Sequence, residues 1–252
     1  MSTATTHTPA QTAHQVATVF DGIFTMIDGW HDALEAHLAD TDDPTAASLD
    51  PVVEALAVPA IRGDGLITGA GFVATPGLLS DAAWHLAWWL ADGDDARRLA
   101  TVDDTTSEQF RDYTALEWWR IPARTGARHL TGPYVDYVCT DDYTVTITAP
   151  VVVRGAFLGV VGTDVLVDRL ERGLLPRLRA VGVPTALVNA SGRVVTATDA
   201  RREPGSILRL GGLGDALAPL REAHPDGVDA RLPGDVHVLS CGETSLALVI
   251  GL

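Results

Sequence analysis

Two apolar stretches that read as a hairpin constrain the fold more than any other feature. Residues 144–148 alternate threonine with apolar side chains, as a half-buried strand does, and residues 150–153 continue the apolar run. Arg154-Gly155 then offers a two-residue turn, and residues 156–163 return as a second apolar strand. So short a connection predicts antiparallel pairing, because parallel strands need a crossover of a dozen or more residues.

A long amphipathic helix is predicted near the N-terminus. In residues 13–39 the apolar side chains recur at steps of three and four, which is the spacing of one helix face. Residues 1–12 read as a disordered tail, and a Thr/Asp-rich connection runs from the helix to residue 50. The apolar face can pack on the rest of the chain or on a partner helix in a homodimer, and both alternatives stay open.

Two lobes are predicted to follow. Residues 51–165 form the larger lobe, and residues 166–252 form a connecting helix and a smaller α+β lobe. The strand–helix–strand rhythm of a parallel sheet is missing, so the fold class is α+β with antiparallel sheets. The predicted segments are a short helix at 51–56, strands at 66–75, 97–102, 144–153, 156–163, 185–189, 194–197, 236–240 and 246–250, a short aromatic element at 81–90, and helices at 118–127, 164–181 and near 215–223.

The chain is strongly acidic. Its 252 residues include 33 Asp and Glu against 18 Lys and Arg, which leaves a net charge of −15. Such a field repels nucleic acid and anionic membranes and favours cationic partners, although acidity can equally serve solubility alone. Cys139 and Cys241 lie in apolar runs, so no disulfide framework is indicated, although a single bridge stays open. With neither a signal peptide nor an apolar run of about 18 residues, we expect a soluble, cytoplasmic protein.

Known enzyme signatures are missing from the sequence. It has no nucleophile elbow, phosphate loop, dinucleotide fingerprint or His-Glu-x-x-His motif. His31 and His37 are six residues apart on the predicted helix and face different ways, and Asp141-Asp142 reads as an exposed turn. We therefore expect no catalysis, no cofactor and no metal.

Aromatic residues and carboxylates are interleaved in residues 118–165, which suits a small cationic ligand. A tryptophan or tyrosine face beside a carboxylate attracts an ammonium group. Trp118 and Trp119 can be plain core anchors, but adjacent indoles on a helix face different ways, so one of them can line a cavity. Tyr134 and Asp136 share one face of a strand.

Asp164 ends an apolar strand and precedes a predicted helix. On that pattern alone it is an N-cap that satisfies the first helical turn, although a carboxylate has enough acceptor sites to hold a ligand as well. Weaker candidates for the lining of a pocket are Trp84, Trp88 and Tyr113.

The order and spacing of these residues resemble the Cache family of PAS-like, ligand-sensing domains. The motifs are Trp118-Trp119, then Pro133-Tyr134-Val135-Asp136, then Ala149-Pro150-Val151, and finally Gly155-x-Phe-x-Gly159-Val-x-Gly162-x-Asp164-Val. The long first helix and the Gly-x-Gly-Phe-Val strand also resemble the family. Residues 186–195 look like the smaller second lobe of a double Cache domain.

This resemblance implies that the ligand is an amine or an amino-acid-like metabolite. Asp164 corresponds to the aspartate that receives the ligand ammonium. In the amino-acid-sensing branch, an arginine two residues before the aromatic pair holds the ligand carboxylate, but that position is Leu116 here, and the pair is Trp-Trp where the branch has Trp-Tyr. Arg111 or Arg120 could substitute. An aromatic wall is expected from Trp118, Trp119 and Tyr134.

The resemblance also bears on output. Cache domains typically lie outside the cell between two membrane helices, whereas this sequence shows neither helix and no output domain after Leu252. It is similar to the sensor part of certain bacterial transcription regulators. We expect a sensor that binds neither nucleic acid nor membrane directly and signals through a homodimer or a separate output protein. The alternative is an interaction module that dimerises through the helix at 13–39 and keeps a vestigial pocket.

Overall fold

A computed structural model describes residues 7–62, 65–137, 142–222 and 227–252. Its helices are α1 (Pro9–Ala39), α2 (Ala46–Ile61), α3 (Glu117–Thr125), α4 (Val167–Arg179) and α5 (Leu213–Ala216), with 3-10 turns at Tyr113–Ala115 and Ala218–Arg221. Its strands are β1 (Ile67–Ala74), β2 (Leu86–Asp92), β3 (Asp95–Arg98), β4 (His129–Val135), β5 (Tyr143–Val153), β6 (Ala156–Leu166), β7 (Thr185–Asn189), β8 (Val194–Ala197), β9 (Asp229–Leu232), β10 (Val236–Ser240) and β11 (Leu246–Ile250).

The described strands form two antiparallel sheets. The larger sheet has the order β3-β2-β1-β6-β5-β4, and the smaller has the order β8-β7-β11-β10-β9. The hairpin of β5 and β6 lies inside the larger sheet, and α4 links the two sheets along the chain. The predicted α+β class, with a long N-terminal helix and two sheet lobes, is confirmed.

Helix α1 begins at Pro9, four residues before the predicted start at residue 13. Thr8 caps it, because the Thr8 hydroxyl accepts from the backbone N–H of Gln11 and the Gln11 side chain accepts from the backbone N–H of Thr8. Residues 9–12 of the predicted tail therefore belong to the helix, and residues 1–6 lie outside the described residues. The apolar stripe of α1 packs against β5, β6, α4, β10 and β11 of its own chain. A homodimer stays a prediction, and it would have to use another face of the helix.

Helix α2 is longer than the short helix predicted at 51–56. Proline at a first helical position favours a helix start, which placed the predicted start at Pro51. The helix instead starts after Thr45, whose hydroxyl forms a capping box with Ser48, and it carries both Pro51 and Pro59 within its length. Its buried side packs against β1 and β2.

Strand β6 runs three residues further than predicted, and this changes the role of Asp164. The predicted helix at 164–181 begins only at Val167, so Asp164 is a strand residue and its assignment as a helix N-cap is wrong. The physical reason is non-local pairing, since β6 is held between β1 and β5 at this level: Asp164 lies opposite both Gly69 and Thr146.

Other predicted segments shift by a few residues. The aromatic element at 81–90 is largely strand β2, which places Trp88 and Trp89 on opposite faces of the sheet. The strand predicted at 97–102 is the edge strand β3, which ends at Arg98. The helix predicted near 215–223 is shorter and ends in a 3-10 turn, and strand β9 was not predicted.

The larger sheet has two differently covered faces. Val145, Ile147 and Val165 point to the side of α1 and α2, where the main apolar core lies. The opposite face carries Thr146, Thr148 and Asp164, and α3 with its two tryptophans covers it. This second face builds the cavity described next.

Two further findings concern the thiols and the helices. Cys241 is buried, whereas Cys139 lies outside the described residues, so the possible bridge between them stays untested. Among the described residues, no helix combines the length and the apolar character that crossing a bilayer requires.

Candidate functional site

A small, partly open cavity lies between the larger sheet and helix α3. About 20 Å³ of it is open to the centres of water molecules, which is room for roughly one water. Five of the eight residues proposed from the sequence meet there, together with three that the sequence did not indicate. The lining residues are Val73, Leu86, Trp88, Trp118, Tyr134, Asp136, Thr146 and Asp164.

Gly69 on β1 provides the space into which Asp164 projects. It lies directly opposite Asp164 in the strand register. A β-carbon at this position would lie 2.9 Å from Oδ2 of Asp164 and 2.9 Å from the indole nitrogen of Trp88. Glycine is therefore required here by the close approach of two side chains, as expected where a strand glycine adjoins a site.

A chain of hydroxyl groups holds the Asp164 carboxyl group in place. The Thr146 hydroxyl donates to Oδ1 of Asp164 at 2.6 Å, and the Tyr134 hydroxyl lies 2.7 Å from the Thr146 hydroxyl. Because Thr146 has a single hydroxyl proton, Tyr134 donates to Thr146 whenever Asp164 is ionised. The arrangement leaves Oδ2 of Asp164 turned toward Gly69 and Trp88.

The electrostatics of the cavity disfavour the ionised form of Asp164. Burial, and secondly the charge of Asp136, raise the pKa of Asp164 from its ordinary value to about 7. The Thr146 hydrogen bond and the nearby indole N–H of Trp88 lower that pKa in part. The Trp88 nitrogen does not meet hydrogen-bond geometry to any described residue. Its N–H dipole therefore lies close to the carboxylate without donating to it.

Asp136 supplies the second carboxylate of the cavity. It lies just beyond the end of β4, only 3% of its surface is exposed, and its backbone N–H donates to the carbonyl of Asp142 at 3.0 Å. The described residues that line the cavity include no arginine and no histidine, and the chain contains no lysine at all. Two buried carboxylates thus share a cavity whose described lining has no cationic side chain.

Three of the proposed aromatic residues lie beside the cavity rather than in its lining. Trp119 packs against Tyr113 with ring centroids 5.1 Å apart, and Tyr113 packs against Trp84 at 5.0 Å. Phe110 and Phe157 complete this aromatic cluster. Trp118, the other member of the pair, does line the cavity, so the two adjacent indoles face different ways as predicted.

The two arginines considered for a ligand carboxylate lie elsewhere. Arg111 is exposed and donates to the carbonyls of Glu108 and Phe110 in its own loop. Arg120 is exposed on α3, and neither arginine lines the cavity. Leu116 belongs to the apolar cluster around Trp118. The site therefore lacks a cationic partner for a carboxylate among the described residues.

The sequence did not indicate Val73, Leu86 or Thr146 as lining residues. Val73 and Leu86 are ordinary strand residues, and nothing in their local pattern separates them from core positions. Thr146 did carry a signal, because the threonines of β5 alternate with apolar residues, but the pattern does not tell which face holds a site.

A group of possible metal ligands lies on α1, away from the cavity. His31, Asp32 and Glu35 place their ligand atoms within 4.8 Å of one another. The His31 ring also contacts both carboxylates within 4.0 Å. Asp32 is largely exposed, and exposed acidic groups of this kind are common without an ion, so we do not assign a metal site to these three residues.

A covered cavity in the larger of two sheet lobes, with a long N-terminal helix running along both, is the arrangement of a PDC-type, PAS-like sensor domain. Residues 89–172 match the model of the family described as methyl-accepting chemotaxis protein-like, first PDC sensor domain. The match covers about a third of the chain and includes Trp118, Tyr134, Asp136 and Asp164. It confirms the predicted likeness to Cache and PDC sensor domains.

Solved structures share the fold over nearly the whole chain. A structure named methyl-accepting chemotaxis protein X has a TM-score of 0.64 at 17% identity, with 95% of this chain and 93% of that chain covered. The ligand-binding domain of the Pseudomonas fluorescens chemoreceptor CtaA in complex with L-leucine has a TM-score of 0.57 at 18% identity, with 96% and 91% covered. The extracellular domain of the putative histidine kinase mmHK1S-Z3 has a TM-score of 0.64 at 15% identity, with 94% and 89% covered.

These comparisons bear on the fold and on the class of domain. The matched family is one of sensor domains, and the structures named are a chemotaxis protein, a chemoreceptor ligand-binding domain and the extracellular domain of a histidine kinase. No curated protein sequence matches the chain. The likeness to transcription regulators and the cytoplasmic location stay predictions.

Proposed function

We propose that this chain is a sensor domain of the double-Cache type whose larger lobe binds a small amine. The ligand ammonium would lie between Asp136 and Asp164, with the ring faces of Trp118 and Tyr134 beside it. Oxygens of the two carboxylates would accept from its N–H donors, and the aromatic faces add an attraction of roughly 0.5–2 kcal/mol for a desolvated cation. The two-lobed architecture supports the double-Cache type.

The observation that carries this proposal is the pair of buried carboxylates without a cationic neighbour in the described lining. Asp136 and Asp164 are 3% and 2% exposed. Burying carboxylates removes them from water at a cost, and two in one cavity repel each other, as the raised pKa of Asp164 reflects. A bound cation offsets both effects at once. An anionic or neutral apolar ligand would leave them uncompensated.

An amine without a carboxylate fits the lining better than an amino acid does. The position that would hold a ligand carboxylate is Leu116, and neither Arg111 nor Arg120 lines the cavity. CtaA is named as a complex with L-leucine, and a Pseudomonas aeruginosa chemoreceptor, PctC, as a complex with GABA. Those ligands carry a carboxylate, so we propose that this chain differs from both in the second half of its site.

Signal output is proposed to run through α1 and the second lobe. Helix α1 packs on β5 and β6, which carry Thr146 and Asp164, and also on β10 and β11 of the smaller sheet. A second link is direct, because the Asn189 side-chain amide on β7 donates to the carbonyl of Gly132 at 2.7 Å, two residues from Tyr134. A ligand that moves the cavity walls therefore shifts both lobes, and a dimer mate or a separate output protein would read that shift.

Isothermal titration at pH 8 with three matched probes tests the proposal. Propylamine presents only an ammonium group, propionate only a carboxylate, and alanine both. We expect binding of propylamine and none of propionate or alanine. Binding of alanine together with propionate, and not of propylamine, would show that the polarity of the site is the reverse of the one proposed.

Two variants separate the site from the general acidity of the chain. Asp136→Asn removes one cavity carboxylate, and we expect it to weaken propylamine binding at least tenfold. Asp103→Asn makes the same charge change in an exposed loop and is expected to leave binding unchanged. Equal losses in both variants would mean that propylamine is attracted by the net charge of −15 and not by the cavity.

A further inference from the structure

The indole N–H of Trp88 is a buried donor inside the proposed amine site. Trp88 lies on β2, lines the cavity and is 4% exposed. Its nitrogen has no hydrogen-bond partner among the described residues. A buried donor of this kind costs the folded protein stability unless something accepts from it, so its presence in a binding cavity points to an acceptor on the ligand.

Polar atoms of Trp88 and Asp164 both lie close to the space left by Gly69. The Trp88 nitrogen and Oδ2 of Asp164 each lie 2.9 Å from the place where a β-carbon on Gly69 would be. Oδ1 of Asp164 already accepts from Thr146, whereas the indole can only donate. The site therefore presents a carboxylate acceptor and an indole donor side by side.

We infer that the ligand carries a neutral oxygen acceptor close to its ammonium group, and that Trp88 selects for it by donating its indole N–H to that oxygen. This inference rests on the amine site proposed above and names its ligand class as small amino alcohols or amino ethers. The acceptor is neutral because an anionic oxygen would lie beside two buried carboxylates with no cation in the described lining. Two carbons between nitrogen and oxygen suit the short separation of the two protein groups.

The size of the cavity limits the ligand to the smallest members of this class. Because the cavity has room for roughly one water, it must widen even for ethanolamine to bind. Ethanolamine and propylamine have nearly the same shape and the same ammonium group, and they differ only in a hydroxyl against a methyl. Comparing the two isolates the contribution of the oxygen.

The experiment is isothermal titration of both amines at pH 8 into the wild type, Trp88→Phe and Trp89→Phe. We expect the wild type to bind ethanolamine about tenfold more tightly than propylamine, which corresponds to about 1.4 kcal/mol. Trp88→Phe keeps an aromatic ring but removes the N–H, so the preference is expected to vanish while propylamine still binds. Trp89→Phe is the matched control, because Trp89 lies on the opposite face of the same strand, and it is expected to keep the preference.

A second pair of amines tests whether the ligand oxygen accepts a hydrogen bond or donates one. 2-Methoxyethylamine can only accept at its oxygen, and butylamine is its isostere, so the same preference is expected for the ether. In the wild type, the indole N–H resonance of Trp88 is expected to shift downfield with ethanolamine and not with propylamine. That measurement stays decisive if Trp88→Phe fails to fold.

Three outcomes overturn the inference. Equal binding of both amines by the wild type would refute the role of Trp88 while leaving the amine site standing. A preference that survives in Trp88→Phe would assign the oxygen to another group. Failure of the wild type to bind either amine would refute the proposed function and this inference with it.

Discussion

Replacing Asp164 by asparagine should make the protein more stable at neutral pH while removing its proposed function. The pKa of Asp164 is about 7 in the folded protein against an ordinary value of 3.8. Between about pH 4 and pH 7, the folded state therefore holds a proton that the unfolded chain has lost. Because the folded state binds more protons, the free energy of unfolding falls as the pH rises through this window, and the loss persists above it.

The size of this loss in unfolding free energy follows from the rise in the pKa of Asp164. At about 1.4 kcal/mol per pH unit, the ionisation of Asp164 costs the folded protein roughly 4 kcal/mol at pH 8 relative to pH 4. Asparagine carries no charge and keeps an oxygen for the Thr146 hydroxyl, and its NH₂ group takes the place of Oδ2 beside Gly69. We expect Asp164→Asn to recover most of this loss, roughly 3 kcal/mol at pH 8, and to raise Tm by roughly 6–12 °C.

Urea unfolding followed by circular dichroism, from pH 4.5 to pH 8.5, measures this directly. The informative quantity is the difference between Asp164→Asn and the wild type, because titrating groups that do not interact with Asp164 cancel in it. That difference should be small at pH 4.5 and grow up to about pH 7. The exposed Asp103→Asn should give a flat difference. Parallel profiles for wild type and Asp164→Asn, or an asparagine variant that is less stable at pH 8, would refute the reasoning.

Three further predictions concern the site and the sheet that carries it. Amine binding should strengthen with pH up to about 7 and should release a proton below that pH, because the ammonium group needs Asp164 ionised. Titration calorimetry in buffers of different ionisation enthalpy measures the number of protons released on binding. Thr146→Val removes the hydrogen-bond donor to the Asp164 carboxylate and should destabilise the fold by about 1–3 kcal/mol and weaken propylamine binding. Thr163→Val is the control, because the buried Thr163 hydroxyl has no described partner, and it should not destabilise the fold. Gly71→Ala would place a β-carbon 2.0 Å from a backbone carbonyl of β2 and should prevent stable folding, whereas Gly22→Ala, in open space on α1, should stabilise by up to about 1 kcal/mol in thermal unfolding.

Local patterns predicted the elements whose determinants are local. The apolar steps of α1 and the alternation in β5 both reflect one buried face, so the helix and the hairpin could be placed before the structure was known. The earlier starts of α1 and α2 also had a visible signal, since Thr8-x-x-Gln11 and Thr45-x-x-Ser48 place a capping side chain three residues ahead of its partner. The predicted start of α1 followed the apolar period and that of α2 followed Pro51, and neither took the capping residue into account.

The site itself depends on contacts that no local pattern contains. The spacing of aromatic and acidic residues, which resembles that of the Cache family, led to Trp118, Tyr134, Asp136 and Asp164, and all four line the cavity. The same reasoning could not separate Trp118 from Trp119, because which face of α3 meets the sheet is set by packing. Val73, Leu86 and Thr146 come from three different strands, and only the register of those strands brings them together.

The N-cap alternative for Asp164 shows how the local pattern alone misplaces a residue that the family resemblance assigned to the site. An aspartate ahead of a helix is ordinarily a cap, where solvent and backbone N–H groups stabilise its charge. Pairing with β1 and β5 instead holds it inside a sheet, opposite a glycine, where neither solvent nor a helix end reaches it. A carboxylate in such a place destabilises the fold when it is ionised, and the proposed ammonium ligand would offset that cost. The asparagine variant thus removes the same buried negative charge that the proposed ligand would bind.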